Sequence, residues 1–365
     1  MESGNPIPRR RLWVFFLCLF VLAPLLAQDT FTGVQRIVAI GDVHGGFDEV
    51  VAIMRGAGVI NNKNKWISGK THLVQTGDVV DRGPDSRKVM DLLIDLEKQA
   101  QKAGGRVHAL FGNHDVMNIY GDLRDVAPEE YAAFKRSDSA DIRQAFFENF
   151  VEDLKRRSAA PPVIDGAFRK KWEEEHPLGW VERRVAFGPN GEYGRWLAKH
   201  NVVIKINEIL FLHGGISPKY AATTRQVFND TIRLELRDFS KLEGGMAMDP
   251  LGPIWYRGLA KDPEADLAQH VDQVLQLHGV KHIVIGHTPS IGVVLPRFGG
   301  KVILIDVGIS KHYGANPACL VVEGPNFKAW HRGRLLELPV DGQDTAPYLK
   351  SAGADPSKLG ATEDR

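Results

Sequence analysis

The sequence predicts an α/β fold in which strands deliver polar loops to one edge of a sheet, with a helical insertion within the same domain. Three observations carry this. Apolar, strand-like runs alternate with helical patterns over residues 36–112. Five apolar runs along the chain each end in a glycine beside Asp, Asn or His. Residues 120–200 lack such runs and are rich in Arg, Lys, Glu and aromatics.

Arg36–Ile40 reads as a strand and residues 41–46 as the loop that follows it. Phe47, Val50, Val51 and Met54 then recur at helical spacing. His72–Gln75 is a second strand running into the loop 76–84, and Val89, Leu92, Leu93 and Leu96 mark a long helix. Arg106–Phe111 is a third strand, ending at residues 112–115. Within the insertion, Pro128–Lys135, Asp141–Arg157 and Ala167–Glu175 are expected as helices, with Lys155, Arg156 and Arg157 on a solvated face. Val202–Ile206 and Ile209–Leu212 form a hairpin through Asn207 and Glu208. A helix over Glu264–His278 precedes the strand Lys281–Ile285. The runs 293–307 and 318–338 read as antiparallel strands about turns at Gly299-Gly300 and Pro325-Asn326. The polar stretch 341–365 is expected to be a disordered tail.

The chain has 365 residues, 43% hydrophobic and 25% charged, which excludes wholesale disorder and fibrous repeats. Lys+Arg is 46 against Asp+Glu 45, a balance unlike that of a dedicated nucleic-acid binder. The start of the chain is different. Arg9, Arg10 and Arg11 precede Leu12–Ala27, sixteen residues without a charge. That pattern is expected to be a signal peptide, or an anchor if it is not cleaved, and to direct export. Removing residues 1–27 takes away three Arg and one Glu and turns the net charge of +1 into about −1. Of the two cysteines, Cys18 lies in this leader, so Cys319 has no partner for an intramolecular disulfide and reads as a core residue.

The chemistry lies in five loops: Gly41-Asp42-Val43-His44-Gly45, the run 77–83 with Asp78, Asp81 and Arg82, Gly112-Asn113-His114-Asp115, His213-Gly214-Gly215, and Gly286-His287-Thr288. Asp42, His44, Asp78, Asn113, His213 and His287 are mixed nitrogen and oxygen donors without thiolate, which suits Mn, Fe or Zn. Six such ligands are too many for one four-coordinate ion and suit two, with one carboxylate shared. Two ions about 3.5–4 Å apart clamp a phosphoryl group and turn water into a nucleophile near neutral pH. Any one of these short motifs is most often an ordinary loop; all five, each at a strand end, are not.

Together the loops resemble the signature of the calcineurin-like metallophosphoesterases. The runs 77–83 and 112–115 are similar to the phosphoprotein phosphatase (PPP) group. Trp255-Tyr256-Arg257-Gly258 and the stretch 306–310 resemble its Shewanella-like branch. The resemblance spans about residues 36–325 and implies a four-layer sandwich of mixed sheets flanked by helices, forming one domain over residues 34–340 with the insertion at 120–200. It implies that Asp42, His44 and Asp78 hold one ion and that Asp78, Asn113, His213 and His287 hold the other, manganese being expected, with iron or zinc as alternatives. His114 would be the general acid, Asp81 its orienting partner, and Arg82 and Arg257, with Asn113, the contacts to phosphate. In-line attack by hydroxide generated between the ions, without a phosphoenzyme, would follow. A phosphorylated protein or peptide is the implied substrate, phosphotyrosine ahead of phosphoserine or phosphothreonine. The tyrosine-bearing loop near the C-terminus of the better-known Ser/Thr phosphatases is not expected here, because residues 306–310 occupy that stretch. Two other readings are a nucleotide or diadenosine-polyphosphate hydrolase on the same core and a membrane-tethered pseudophosphatase. The complete ligand set argues against the second.

Overall fold

The runs Ile37–Ile40, Ile209–Leu212 and His282–Ile285 are buried at every position, as strands covered on both faces must be. The computed structural model describes residues 28–158 and 161–354, so the leader at 1–27 and the last residues, 355–365, lie outside the described part. The strands, in chain order, are β1 (Thr30–Phe31), β2 (Arg36–Ile40), β3 (His72–Gln75), β4 (Arg106–Ala109), β5 (Ile204–Ile206), β6 (Ile209–Leu212), β7 (His282–Ile285), β8 (Leu295–Arg297), β9 (Val302–Leu304), β10 (Ala318–Glu323), β11 (Asn326–His331) and β12 (Arg334–Glu337). They form two six-stranded mixed sheets, ordered β12-β11-β10-β2-β3-β4 and β1-β5-β6-β7-β9-β8. In the first, β2, β3 and β4 are parallel; in the second, β6, β7 and β9 are. One continuous core joins residues of both sheets, including Val38, Leu73 and Val107 of the first and Leu210, Val284 and Ile303 of the second.

The three helices of the first half are α1 (Phe47–Gly56), α2 (Ser86–Lys102) and α3 (Asn113–Tyr120). Helix α2 follows its apolar spacing, burying Val89, Leu92, Leu93 and Leu96 on one face. Between α3 and β5 the described residues hold only helices: α4 (Pro128–Phe134), α5 (Ser139–Arg157), α6 (Gly166–Glu175), α7 (Trp180–Phe187) and α8 (Glu192–Leu197). Proline at its first position starts α4, and the Asp165 side chain caps α6 by accepting the Phe168 N–H. Helices α7 and α8 were not expected, because glycine-bounded segments of eight and six residues show too few turns to establish a period.

The tail departs from expectation. Residues Ala346–Ala352 form a helix that buries Tyr348 and Leu349 rather than a disordered segment. The Tyr348 hydroxyl donates to the Val294 carbonyl at 2.7 Å, tying this helix beside β8. A seven-residue helix with one apolar pair is too short for its period to stand out in a polar sequence. Cys319 is buried in β10, where burial pushes its thiol up to about 12. No described helix is long and apolar enough to cross a membrane.

Candidate metal centre and active site

The C-terminal ends of six strands open onto one place. Asp42 follows β2, Asp78 follows β3, Asn113 and His114 follow β4, His213 follows β6, His287 follows β7 and Asp306 follows β9. This is the edge at which parallel strands present functional loops. The loops turn sharply. His44, Asp78, Asp81, Arg82 and His287 all take left-handed backbone, with φ between 44 and 71°. Such strain in non-glycine residues persists where the surrounding structure over-determines it. Glycine is required at Gly112 and Gly286 for another reason: a Cβ on Gly112 would overlap the Asp78 carboxylate, and one on Gly286 would overlap that of Asp42.

Three histidines have their hydrogens fixed by the backbone. A carbonyl can only accept, so His44 Nδ1 donates to Val80 at 2.9 Å, His213 Nδ1 donates to Thr76 at 3.0 Å, and His287 Nε2 donates to Trp255 at 2.9 Å. The remaining nitrogens, lone pairs in the neutral ring, are aimed at the strand-end cluster. His213 Nε2 stands 3.1 Å from His287 Nδ1, 3.1 Å from Asn113 Oδ1 and 3.3 Å from Asp78 Oδ2. His44 Nε2 stands 3.7 Å from Asp78 Oδ2 and 4.0 Å from Asp42 Oδ2. Buried acceptors crowded this closely repel one another unless a cation lies among them, so the donor set fits divalent metal. Two ligand groupings emerge, His44 with Asp78 and His114, and Asp78 with His213 and His287. Asp78 belongs to both. Its Oδ1 accepts the His114 backbone N–H at 2.9 Å, leaving Oδ2 between the two groups. Asp115 pins this loop, accepting the backbone N–H groups of Asp78 at 2.8 Å, Val79 at 3.2 Å and Gly112 at 2.9 Å.

His114 differs from the other three. Its Nδ1 meets a carboxylate, Asp81 Oδ2, at 2.8 Å rather than a carbonyl. Burial opposes its charge, but Asp78, Asp81 and Asp125 outweigh burial and raise it to about 9. His44 goes the other way, lowered by burial to about 4, and burial also holds His287 well below the usual imidazole value. Neutral imidazoles at His44 and His287 suit ligation and a protonated imidazole at His114 suits proton donation. The hydrogen-bond partners, carbonyls for His44, His213 and His287 against a carboxylate for His114, separate His114 from the ligands.

Arg82 and Arg257 flank this centre, each anchored on one side. Arg82 pairs with Asp125 at 3.1 Å, and Arg257 donates to the His287 carbonyl at 2.5 Å and to Thr288 Oγ1 at 3.3 Å. Trp255 packs and supplies its carbonyl, while its Nε1 donates to Ala247 at 2.8 Å. Thus Asp42, His44, Asp78, Asn113, His114, Asp81, His213, His287, Arg82 and Arg257 gather within a single region.

Three nearby residues were not singled out from sequence. Asp125 comes from the segment between α3 and α4, outside any motif. Asp306 is buried near Asp42; its sequence signal is the one used for the other loops, a carboxylate just past a strand. Tyr313 brings a tyrosine to the site that the sequence reading did not single out. Its ring centroid lies 5.2 Å from that of His44, just beyond the stretch 306–310.

Charge crowding at the centre makes a measurable prediction. Burial, then Asp306 and Asp78, raise Asp42 well above the ordinary carboxylate value, and burial raises Asp306 to about 6. Asp42 therefore keeps a proton to higher pH than an ordinary carboxyl in metal-free protein, and ligation requires its anion. Adding Mn²⁺ to metal-free protein at about pH 6 is expected to release protons, read in a weakly buffered indicator solution. Binding without proton release would contradict this charge assignment.

The comparisons with known proteins agree with this geometry. The family model for "Calcineurin-like phosphoesterase" matches residues 35–290. The chain belongs to the calcineurin-like phosphoesterase family. This phosphoesterase is 32% identical to an uncharacterized protein of Schizosaccharomyces pombe, covering 83% of this chain and 82% of that one. It is 28% identical to Shewanella-like protein phosphatase 2 of Arabidopsis thaliana, covering 78% and 74%. Among solved structures it resembles the cold-active protein-tyrosine phosphatase of a psychrophilic Shewanella species, with a TM-score of 0.66 at 29% identity over 87% and 85% of the two chains. It is a hydrolase of the protein-phosphatase branch, and its family uses divalent metals.

Proposed function

We propose that this phosphoesterase removes phosphate from phosphoproteins, prefers phosphotyrosine, uses two manganese ions (with iron or zinc as alternatives), and acts after export. The observation that carries the reading is the contrast between His114, whose Nδ1 meets the Asp81 carboxylate, and His44, His213 and His287, each fixed by a backbone carbonyl beside a shared Asp78. When bound, two divalent ions supply the positive charge that acidifies a water and screens the phosphoryl oxygens. Asp42, His44 and Asp78 would hold one; Asp78, Asn113, His213 and His287 would hold the other. Arg82 and Arg257 present guanidinium N–H groups to the phosphoryl oxygens and fix its orientation. An oxygen–phosphorus bond forms on one side as the ester bond breaks on the other. His114 gives its Nε2 proton to the departing oxygen, and Asp81 stabilises the imidazolium before transfer.

The tyrosine preference draws support from the likeness to the cold-active tyrosine phosphatase. The test is a substrate panel run with each metal in turn: phosphotyrosine, phosphoserine and phosphothreonine peptides beside a dinucleoside tetraphosphate. The reading expects the highest kcat/KM on the phosphotyrosine peptide with manganese. Faster cleavage of the dinucleotide would replace it with the nucleotide-hydrolase reading. Export rests on the leader at 1–27. N-terminal sequencing of protein expressed from the full chain should find a start near residue 28; a retained Met1 in the soluble cytosolic fraction would contradict export.

A further inference from the structure

We propose that Arg183, carried by the helical insertion, is a positioning residue for the proton donor, acting through Asn118 and Asp81. The proposal rests on the reading of His114 as general acid.

Arg183 lies on α7 and is fully buried, with Glu130 of α4 beside it at 1% exposure. Its Nε donates to Glu130 Oε2 at 2.9 Å, and its Nη1 donates to Asn118 Oδ1 at 2.6 Å. The second bond decides how Asn118 stands. A guanidinium only donates, so the amide oxygen must face Arg183 and the amide nitrogen must face away from it. That nitrogen donates to Asp81 Oδ1 at 2.9 Å, to Asp81 Oδ2 at 3.0 Å and to the His114 carbonyl at 2.9 Å. Asp81 in turn accepts from His114 Nδ1. The polarity of each link follows from the one before it, from guanidinium to imidazole.

The charges are arranged to keep this order. Arg183 Nη2 stands 3.6 Å from Asp81 Oδ1 and makes no hydrogen bond, although it is buried. Were it to close on Asp81, it would compete with His114 for the carboxylate. Glu130 holds the guanidinium on its far side, and its own Oε1 is fixed by the Ser86 N–H at 2.6 Å, at the start of α2. A buried pair of this kind is weak evidence for stability, because desolvation offsets its Coulomb attraction. An apolar pair would fill the same space; it would not set the orientation of Asn118. The insertion thus reaches behind the acid, and it does so with residues outside every phosphoesterase motif.

The test compares Arg183→Met and Asn118→Leu on phenyl phosphate, a poor leaving group, and 2,4-dinitrophenyl phosphate, a good one, in the native and His114→Asn backgrounds. Each variant is expected to lower kcat on phenyl phosphate by about 10- to 100-fold, with less than about threefold loss on the dinitrophenyl ester and KM and metal content unchanged. In the His114→Asn background neither should cost anything further, because the group they position is gone. Equal losses on both esters, or a full further loss in that background, would overturn the proposal and leave Arg183 a structural residue. Should Arg183→Met fail to fold, the near-isosteric Asn118→Leu carries the same comparison. If His114→Asn itself shows no dependence on the leaving group, the general-acid assignment fails and the proposal falls with it. That outcome is distinguished by the His114→Asn protein alone.

Discussion

Asp78→Asn is expected to abolish turnover, lowering kcat/KM by about a thousandfold or more, roughly 4 kcal/mol of transition-state stabilisation. The reason is the double duty of one oxygen. Asp78 Oδ2 is within 3.3 Å of His213 Nε2 and 3.7 Å of His44 Nε2, so a single substitution removes negative charge from both ligand groups. Asn keeps the size of the side chain and the acceptor for the His114 backbone N–H, so the fold should survive. Metal analysis is the accompanying measurement. Both ions should bind more weakly in the variant. Loss of one ion with the other retained at native affinity would show that Asp78 is not shared.

His114→Asn should behave differently. None of the backbone-fixed imidazoles is touched, so metal content should remain native. The loss falls on proton donation, about 10²- to 10⁴-fold in kcat where the leaving oxygen is basic, and much less for a nitrophenolate that departs without a proton. Plotting log kcat against leaving-group pKa for a series of aryl phosphates measures this. A steeper slope in the variant than in the native enzyme is the expected result. Parallel slopes would assign His114 to the metal centre, beside His44 and Asp78, in place of the proton-donor role.

The ligand set was legible in the sequence because one local pattern repeats: an apolar strand, then a donor beside a glycine. Asp42, Asp78, Asn113, His213 and His287 all carry it, and the strands delivering them end at one edge. The α/β class was legible for the same reason. The mixed sheets of the sandwich were legible only through the family resemblance, since β2 pairs with β10 across most of the chain and no local signal encodes that partner. β1, two residues long, has no period to read. Apart from Asp306, which carries the strand-end signal, the residues missed at the site reach it by tertiary packing alone. Tyr313 lies seven residues past the strand-end donor Asp306, Asp125 sits between helices, and Arg183 looks in sequence like one more charge in a polar segment. Burial turns it into a neighbour of Asp81, and burial depends on how α4 and α7 pack. Left-handed backbone at Asp81 and Arg82 was equally hidden, because nothing in those side chains demands it.

The most direct test of the account is a titration of Mn²⁺ into metal-free protein, following phosphate release from a phosphotyrosine peptide. The two groups that share Asp78 predict negligible activity without metal and a maximum reached at two ions per chain. Full activity at one ion, or hydrolysis that does not depend on metal, would contradict it.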